Sequence, residues 1–123
     1  MANKRILIAD DDSAILEMLR MTLEAEGFDV ETAKDGKEAL QRIKDKDFDL
    51  LLLDIEMPYV DGYHLAQQIS STALASQAKI VFLTGRDTQK EKAIGALSGG
   101  VEMIQKPCDL DQLVKKIKQL LGN

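Results

Sequence analysis

The stretch Asp49-Leu50-Leu51-Leu52-Leu53-Asp54 decides how the rest of the chain is read. Leucine alone would permit a helix. Its short length and its acidic flanks favour a central strand covered on both faces, of the kind found in parallel sheets. Such a strand needs helices above and below it, so the sequence on either side must alternate strand and helix.

Toward the N-terminus, Ile6-Leu7-Ile8-Ala9 is short, apolar and β-branched, a buried strand. Ile15, Met18, Leu19 and Leu23 then mark one face of a helix, which Gly27 stops. Phe28-Asp29-Val30-Glu31-Thr32 alternates, which suits a strand nearer an edge. Asp35-x-x-Glu38 is a capping box opening a helix with Ala39, Leu40 and Ile43 inward. Toward the C-terminus, Met57 to Gly62 reads as a loop, and Tyr63, Ala66 and Ile69 begin a helix face. Ile80-Val81-Phe82-Leu83 is a fourth strand. Thr88-x-x-Glu91 opens a helix ending near Leu97, weakened by Gly95, Gly99 and Gly100. Val101 to Ile104 forms a fifth strand, and Asp109-x-x-Gln112 opens a last helix with Leu110, Leu113, Val114, Ile117, Leu120 and Leu121 inward. Strand and helix alternate five times, which predicts an α/β protein with a parallel sheet and helices on both faces. No repeat, low-complexity segment or linker interrupts the pattern.

The chain has 123 residues, the size of one domain with a real hydrophobic core. A net charge of −5 and a pI near 4.9 repel phosphate backbones, so no nucleic-acid binding is expected of this domain. Lys115, Lys116 and Lys118 read as a solvated helix face. Cys108 is the only cysteine, so no internal disulfide is expected and the residue reads as structural. No stretch is long enough for a membrane span, and the run after Arg5 meets aspartates too early for a signal peptide. A cytoplasmic location is the expectation.

In open α/β sheets, function gathers beyond the carboxyl ends of the strands. Asp10 and Asp11 follow strand one, Asp54 ends strand three, Thr84 follows strand four and Lys106 follows strand five. Neighbouring strands lie about 4.8 Å apart, so side chains at their tips can share one small ligand. Crowded carboxylates raise one another's pKa unless a positive group sits among them. Three acids suit a hard divalent cation with oxygen ligands, Mg²⁺ first and Mn²⁺ as the alternative. Asp54 has the chemistry of a carboxylate nucleophile toward phosphorus, Lys106 that of a mobile point charge for a phosphoryl oxygen, and Thr84 that of a hydroxyl donor. Asp12 is assigned instead to the helix start.

The segments Ile-Ala-Asp-Asp-Asp, Leu-Asp-Ile-Glu-Met-Pro-x-x-Asp-Gly, Leu-Thr-Gly and Lys-Pro together resemble the receiver domains of two-component response regulators, in their single-domain, chemotaxis-regulator-like form. The likeness runs the length of the chain. It implies a flavodoxin-like, doubly wound (βα)5 three-layer sandwich with strand order 2-1-3-4-5, and one receiver domain over residues 1–123 with no output domain. It implies Asp54 as the phosphorylation site, Mg²⁺ among Asp10, Asp11, Asp54 and the Glu56 main-chain carbonyl, and Thr84 and Lys106 as sensors of the phosphoryl group. A cis Lys106-Pro107 bond also follows from it. A sensor histidine kinase or histidine phosphotransfer protein would supply the phosphoryl group. The fourth helix, fifth strand and last helix would present a face to a downstream protein, with the domain a monomer or a phosphorylation-dependent dimer. Met103 stands where the family usually has an aromatic switch residue, and Gly85 replaces the commoner alanine. Glu56 and Arg86 are placed to pair across the mouth of the site.

Three other readings compete. Asp10-x-Asp12 resembles the start of an aspartate-dependent phosphatase site, but the loops are too short to form a cap. A flavin-binding domain would need a Ser-, Thr- and Gly-rich loop after strand one, where this chain is acidic. A phosphorylation-independent scaffold is the third. His64 is expected to face solvent, neither a ligand nor a phosphate carrier.

Overall fold

The computed structural model describes residues 3–57, 61–70, 78–85, 102–106 and 109–122. Its elements run β1 (Arg5–Ala9), α1 (Ser13–Ala25), β2 (Asp29–Ala33), α2 (Gly36–Asp45), β3 (Leu50–Asp54), α3 (Gly62–Ser70), β4 (Lys79–Thr84), β5 (Glu102–Gln105) and a C-terminal helix (Leu110–Leu121). The five strands pair in parallel in the order β2-β1-β3-β4-β5. This is the doubly wound flavodoxin-like fold expected from the sequence. The expected fourth helix, Thr88 to Leu97, lies outside the described residues.

The leucine run explains the two-sided sheet. Leu50, Leu51, Leu52 and Leu53 are all fully buried. Successive side chains of a strand point to opposite faces. Leu51 and Leu53 join Ala39, Ile43, Leu65 and Ile69 of α2 and α3. Leu50 and Leu52 join Leu16, Leu19 and Leu23 of α1 and Leu113 and Ile117 of the C-terminal helix. Each leucine so buried stabilises the fold by about 2 kcal/mol relative to exposure.

Local signals fix the helix ends. The Asp12 carboxylate caps α1, accepting from the Ala14 and Ile15 N–H groups at 2.9 and 3.3 Å. Gly27, at φ 93°, takes the left-handed conformation that ends the helix, and the Phe28 N–H returns to the Leu23 carbonyl at 3.3 Å. Asp35 accepts from the Glu38 N–H at 2.8 Å, and Asp109 from Asp111 at 2.9 Å.

Some expectations shift. Met18 does not belong to the buried face of α1; it is 43% exposed and Leu16 takes the inner place. Met18 lies about 100° round the helix from Leu19, beyond the stripe that Leu16, Leu19 and Leu23 form. β2 runs one residue later than the apolar pattern suggests, β5 extends one residue further, to Gln105, and α3 begins at Gly62 rather than Tyr63.

Candidate functional site

The sheet order reverses between β1 and β3, because the chain leaves β1 for β2 on one side and reaches β3 on the other. The loops beyond those two strands therefore diverge and leave a crevice at their carboxyl ends. The acidic residues gather there.

β1 ends at Ala9, and the Asp10 N–H donates to the Ala33 carbonyl at 3.1 Å. The Asp10 side chain, fully buried, turns back to accept from the Asp12 N–H at 2.9 Å. That tight turn leaves Asp11 exposed at the rim and delivers Asp12 to its cap on α1. Asp54 closes β3 at 4% exposure. The Glu56 N–H donates to Asp54 Oδ1 at 3.3 Å, and the Ile55 N–H to the Leu83 carbonyl of β4 at 3.0 Å. Thr84, fully buried, ends β4, and its carbonyl accepts from the Lys106 N–H at 2.6 Å. From there the half-buried Lys106 places Nζ 2.7 Å from Asp10 Oδ2 and 3.3 Å from Asp54 Oδ1.

Asp10, Asp11 and Asp54 each offer a carboxylate oxygen, and the three oxygens lie within 4.8 Å of one another. Ligand oxygens on opposite sides of a Mg²⁺ ion stand about 4.2 Å apart. Small side-chain adjustments would bring all three onto one ion, and a set of hard, anionic oxygens suits such a cation. The residues fit a small divalent metal.

The electrostatics are uneven. Burial pushes the Asp54 carboxyl up to about 6, and the Asp10 charge adds to the rise. The Lys106 ammonium and the Glu56 N–H pull against it. For Lys106, burial works to lower the pKa, but the hydrogen bond to Asp10 and the charges of Asp10 and Asp54 outweigh it, and the ammonium is held above the ordinary lysine value. Lys106 is thus firmly cationic, and the buried Asp54 carboxyl resists charging.

The structure brings Asp10, Asp11, Asp54 and Lys106 together, with Thr84 at the end of the neighbouring strand. Met103 belongs instead to the apolar cluster, 7% exposed and paired in register with Phe82. Glu56 is exposed at the rim, and its N–H is the group bonded to Asp54. His64 is exposed, with Nδ1 3.0 Å from Asp61 Oδ2. Lys118 of the basic helix face pairs with Glu26, the residue that caps the C-terminus of α1, at 2.5 Å. Arg86, Pro107 and Cys108 lie outside the described residues, so the Glu56–Arg86 pair, the cis bond and the role of the cysteine fall there too. Two features went unread in the sequence. One is which acid Lys106 meets most closely: a lysine ammonium among the carboxylates is expected from the sequence, but its pairing with Asp10 follows only from the sheet order. The other is Gly62, read as loop, although the Asp61-Gly62 step before a helix marks a place where backbone approaches closely.

A sequence model of the response regulator receiver domain matches residues 6–118. The chain belongs to the response regulator receiver domain family, a family of signalling phosphoacceptor domains. It is 38% identical over 117 residues to the response regulator MprA of Mycolicibacterium vanbaalenii, covering 95% of this chain and 50% of that protein. The corresponding protein of Mycobacterium avium is 39% identical over the same length and with the same coverage. The chain thus spans about half the length of the curated relatives it matches. Among solved structures it resembles the chemotaxis protein CheY4 of Vibrio cholerae, with a TM-score of 0.92, 29% identity, and coverage of 98% of this chain and 100% of that one. A CheY-like receiver domain protein from Methanospirillum hungatei gives a TM-score of 0.89 at 34% identity, over 98% of this chain and 95% of that one. Among the described residues no helix is long and apolar enough to cross a membrane.

Proposed function

We propose that Asp54 accepts a phosphoryl group from the phosphohistidine of a sensor histidine kinase or a histidine phosphotransfer protein, and that the modified domain changes its affinity for a downstream protein. In the transfer, an Asp54 carboxylate oxygen forms a bond to phosphorus as the bond between phosphorus and the donor's imidazole nitrogen breaks. The departing imidazole takes up a proton, and an acyl phosphate remains on Asp54. Asp10, Asp11, Asp54 and the Glu56 main-chain carbonyl would hold Mg²⁺, with Mn²⁺ as a substitute, whose charge when bound offsets repulsion between the carboxylate and the phosphoryl oxygens. Lys106 gives up part of its contact with Asp10 and Asp54 to hold a phosphoryl oxygen, and the Thr84 hydroxyl donates to another. Positioning and charge neutralisation supply most of such catalysis.

One observation carries this reading: within a receiver-family chain, Lys106 bridges Asp10 and Asp54 beside a three-carboxylate cluster. Modification there biases a two-state equilibrium. The output face would be the expected fourth helix, β5 and the C-terminal helix, with Thr84 and Met103 relaying the change and the domain a monomer or a phosphorylation-dependent dimer. Residues 1–123 would act as one receiver unit, in the cytoplasm where its donor's histidine is modified. The test is incubation with Mg²⁺ and acetyl phosphate followed by intact mass. A single phosphoryl adduct that disappears in Asp54→Asn supports the reading. No adduct from acetyl phosphate or from a phosphorylated histidine protein leaves a phosphorylation-independent scaffold.

A further inference from the structure

α3 begins against the backbone of Asp54. A Cβ at Gly62, its first residue, would lie 2.6 Å from the Asp54 carbonyl oxygen, 3.0 Å from Ile55 Cα and 3.1 Å from the Asp54 carbonyl carbon. All three are backbone atoms, so no rotamer change relieves the contact. The Gly62 N–H donates to the Ile55 carbonyl at 3.0 Å and closes the neck of the loop between β3 and α3. Two further contacts seat the first turn. Asp61 Oδ1 accepts from the His64 N–H at 2.8 Å. The Tyr63 ring stands edge-on against Phe82 of β4, with centroids 5.0 Å apart and planes at 68°. On the other side, β4 holds the same peptide through the Ile55 N–H bond to Leu83 at 3.0 Å.

We propose that Gly62 is a positioning residue for Asp54. By letting α3 sit directly on the Asp54 peptide, it fixes how far the Asp54 carboxylate reaches toward Asp10, Asp11 and Lys106. The inference rests on the phosphoacceptor reading of Asp54. The carboxylate hangs from its Cα by two torsions, so a displaced peptide carries the reacting oxygen with it. Any side chain at position 62 must push α3 and β3 apart, and the opposite wall, β4, is already in hydrogen-bonded contact.

The test is Gly62→Ala, with Ile43→Val, a core change in α2, as the control for mild loss of stability. Both are followed by circular dichroism and by the rate of adduct formation across acetyl phosphate and Mg²⁺ concentrations. A folded Gly62→Ala should be modified at least about tenfold more slowly at saturation, with the half-saturating donor concentration little changed, since misplacement of a reacting group costs rate rather than donor binding. Ile43→Val should keep the wild-type rate. A folded Gly62→Ala modified at the wild-type rate overturns the proposal. If the variant does not fold, the wild-type Gly62 and Tyr63 amide resonances decide. They should shift as the adduct forms, and unchanged resonances beside a complete adduct overturn it. A wild-type protein that takes no phosphoryl group overturns the function as well, which separates the two failures.

Discussion

Lys106 Nζ lies 2.7 Å from Asp10 Oδ2, a contact between residues 96 positions apart. β3 and β4 lie between their strands in the sheet, and Asp54 of β3 is 3.3 Å from the same ammonium. One cation therefore serves two buried carboxylates from different strands, and it ties the end of β5 to the end of β1 across β3 and β4.

Removing that ammonium leaves Asp10 buried with its carboxylate charge uncompensated. Lys106→Met should destabilise the protein by about 3 kcal/mol in chelator, the usual cost of breaking a buried pair. Added Mg²⁺ should restore part of the loss. Urea unfolding with and without Mg²⁺ measures both, and a variant as stable as wild type in chelator would remove the bridge from the account.

Asp54 sets a pH dependence whose sign is fixed by its raised pKa. The folded protein holds the Asp54 proton more tightly than the unfolded chain, where the ordinary value is 3.8. The resulting stability is fully present below that value and is lost as pH rises through about 6. Asp54→Asn, which stays neutral, should gain on wild type above pH 6 by on the order of 1–3 kcal/mol in chelator, and the gain should vanish near pH 4. Urea titrations at pH 4, 5.5 and 7.5 check it; a gain independent of pH would contradict it.

Adjacent aspartates should behave differently. Asp12→Ala removes a helix cap and should cost about 1 kcal/mol while leaving Mg²⁺ binding intact. Asp11→Asn, at an exposed position, should barely change stability in chelator but should weaken Mg²⁺ binding markedly. Thermal melts across a Mg²⁺ series separate the two effects.

Met103 fills space beside Phe82. Met103→Ala should cost about 2–4 kcal/mol through the cavity it leaves. Met103→Leu, which nearly conserves volume, should cost under about 1.5 kcal/mol. Equal losses for both variants would mean that Met103 does not pack as described.

Much of this molecule was legible in its sequence. Leu50 to Leu53 announced a strand buried on both sides, because no polar residue marks a solvent face. Asp12 was separable from Asp10 and Asp11, because a cap position is a local property. Met18 was misplaced because one apolar residue at the border of a helical stripe does not say which way the helix rolls; the sheet beneath decides that, and it chose Leu16. A lysine ammonium among the strand-end carboxylates was legible, but its pairing with Asp10 was not, because that depends on strand order and on a long side chain crossing two strand ends. The role of Gly62 was hidden because a missing side chain reports a close approach only once the approaching backbone is in place.

The proposed function turns on Asp54 as the phosphoacceptor. Acyl phosphates are reduced by borohydride, which converts a phosphorylated aspartate to homoserine. The direct measurement is to treat the protein with Mg²⁺ and acetyl phosphate, reduce it, and sequence its peptides by mass spectrometry. Homoserine at position 54, dependent on Mg²⁺, is the predicted result. Homoserine at position 10 or 11 instead, or a phosphoryl group retained on His64, would contradict it.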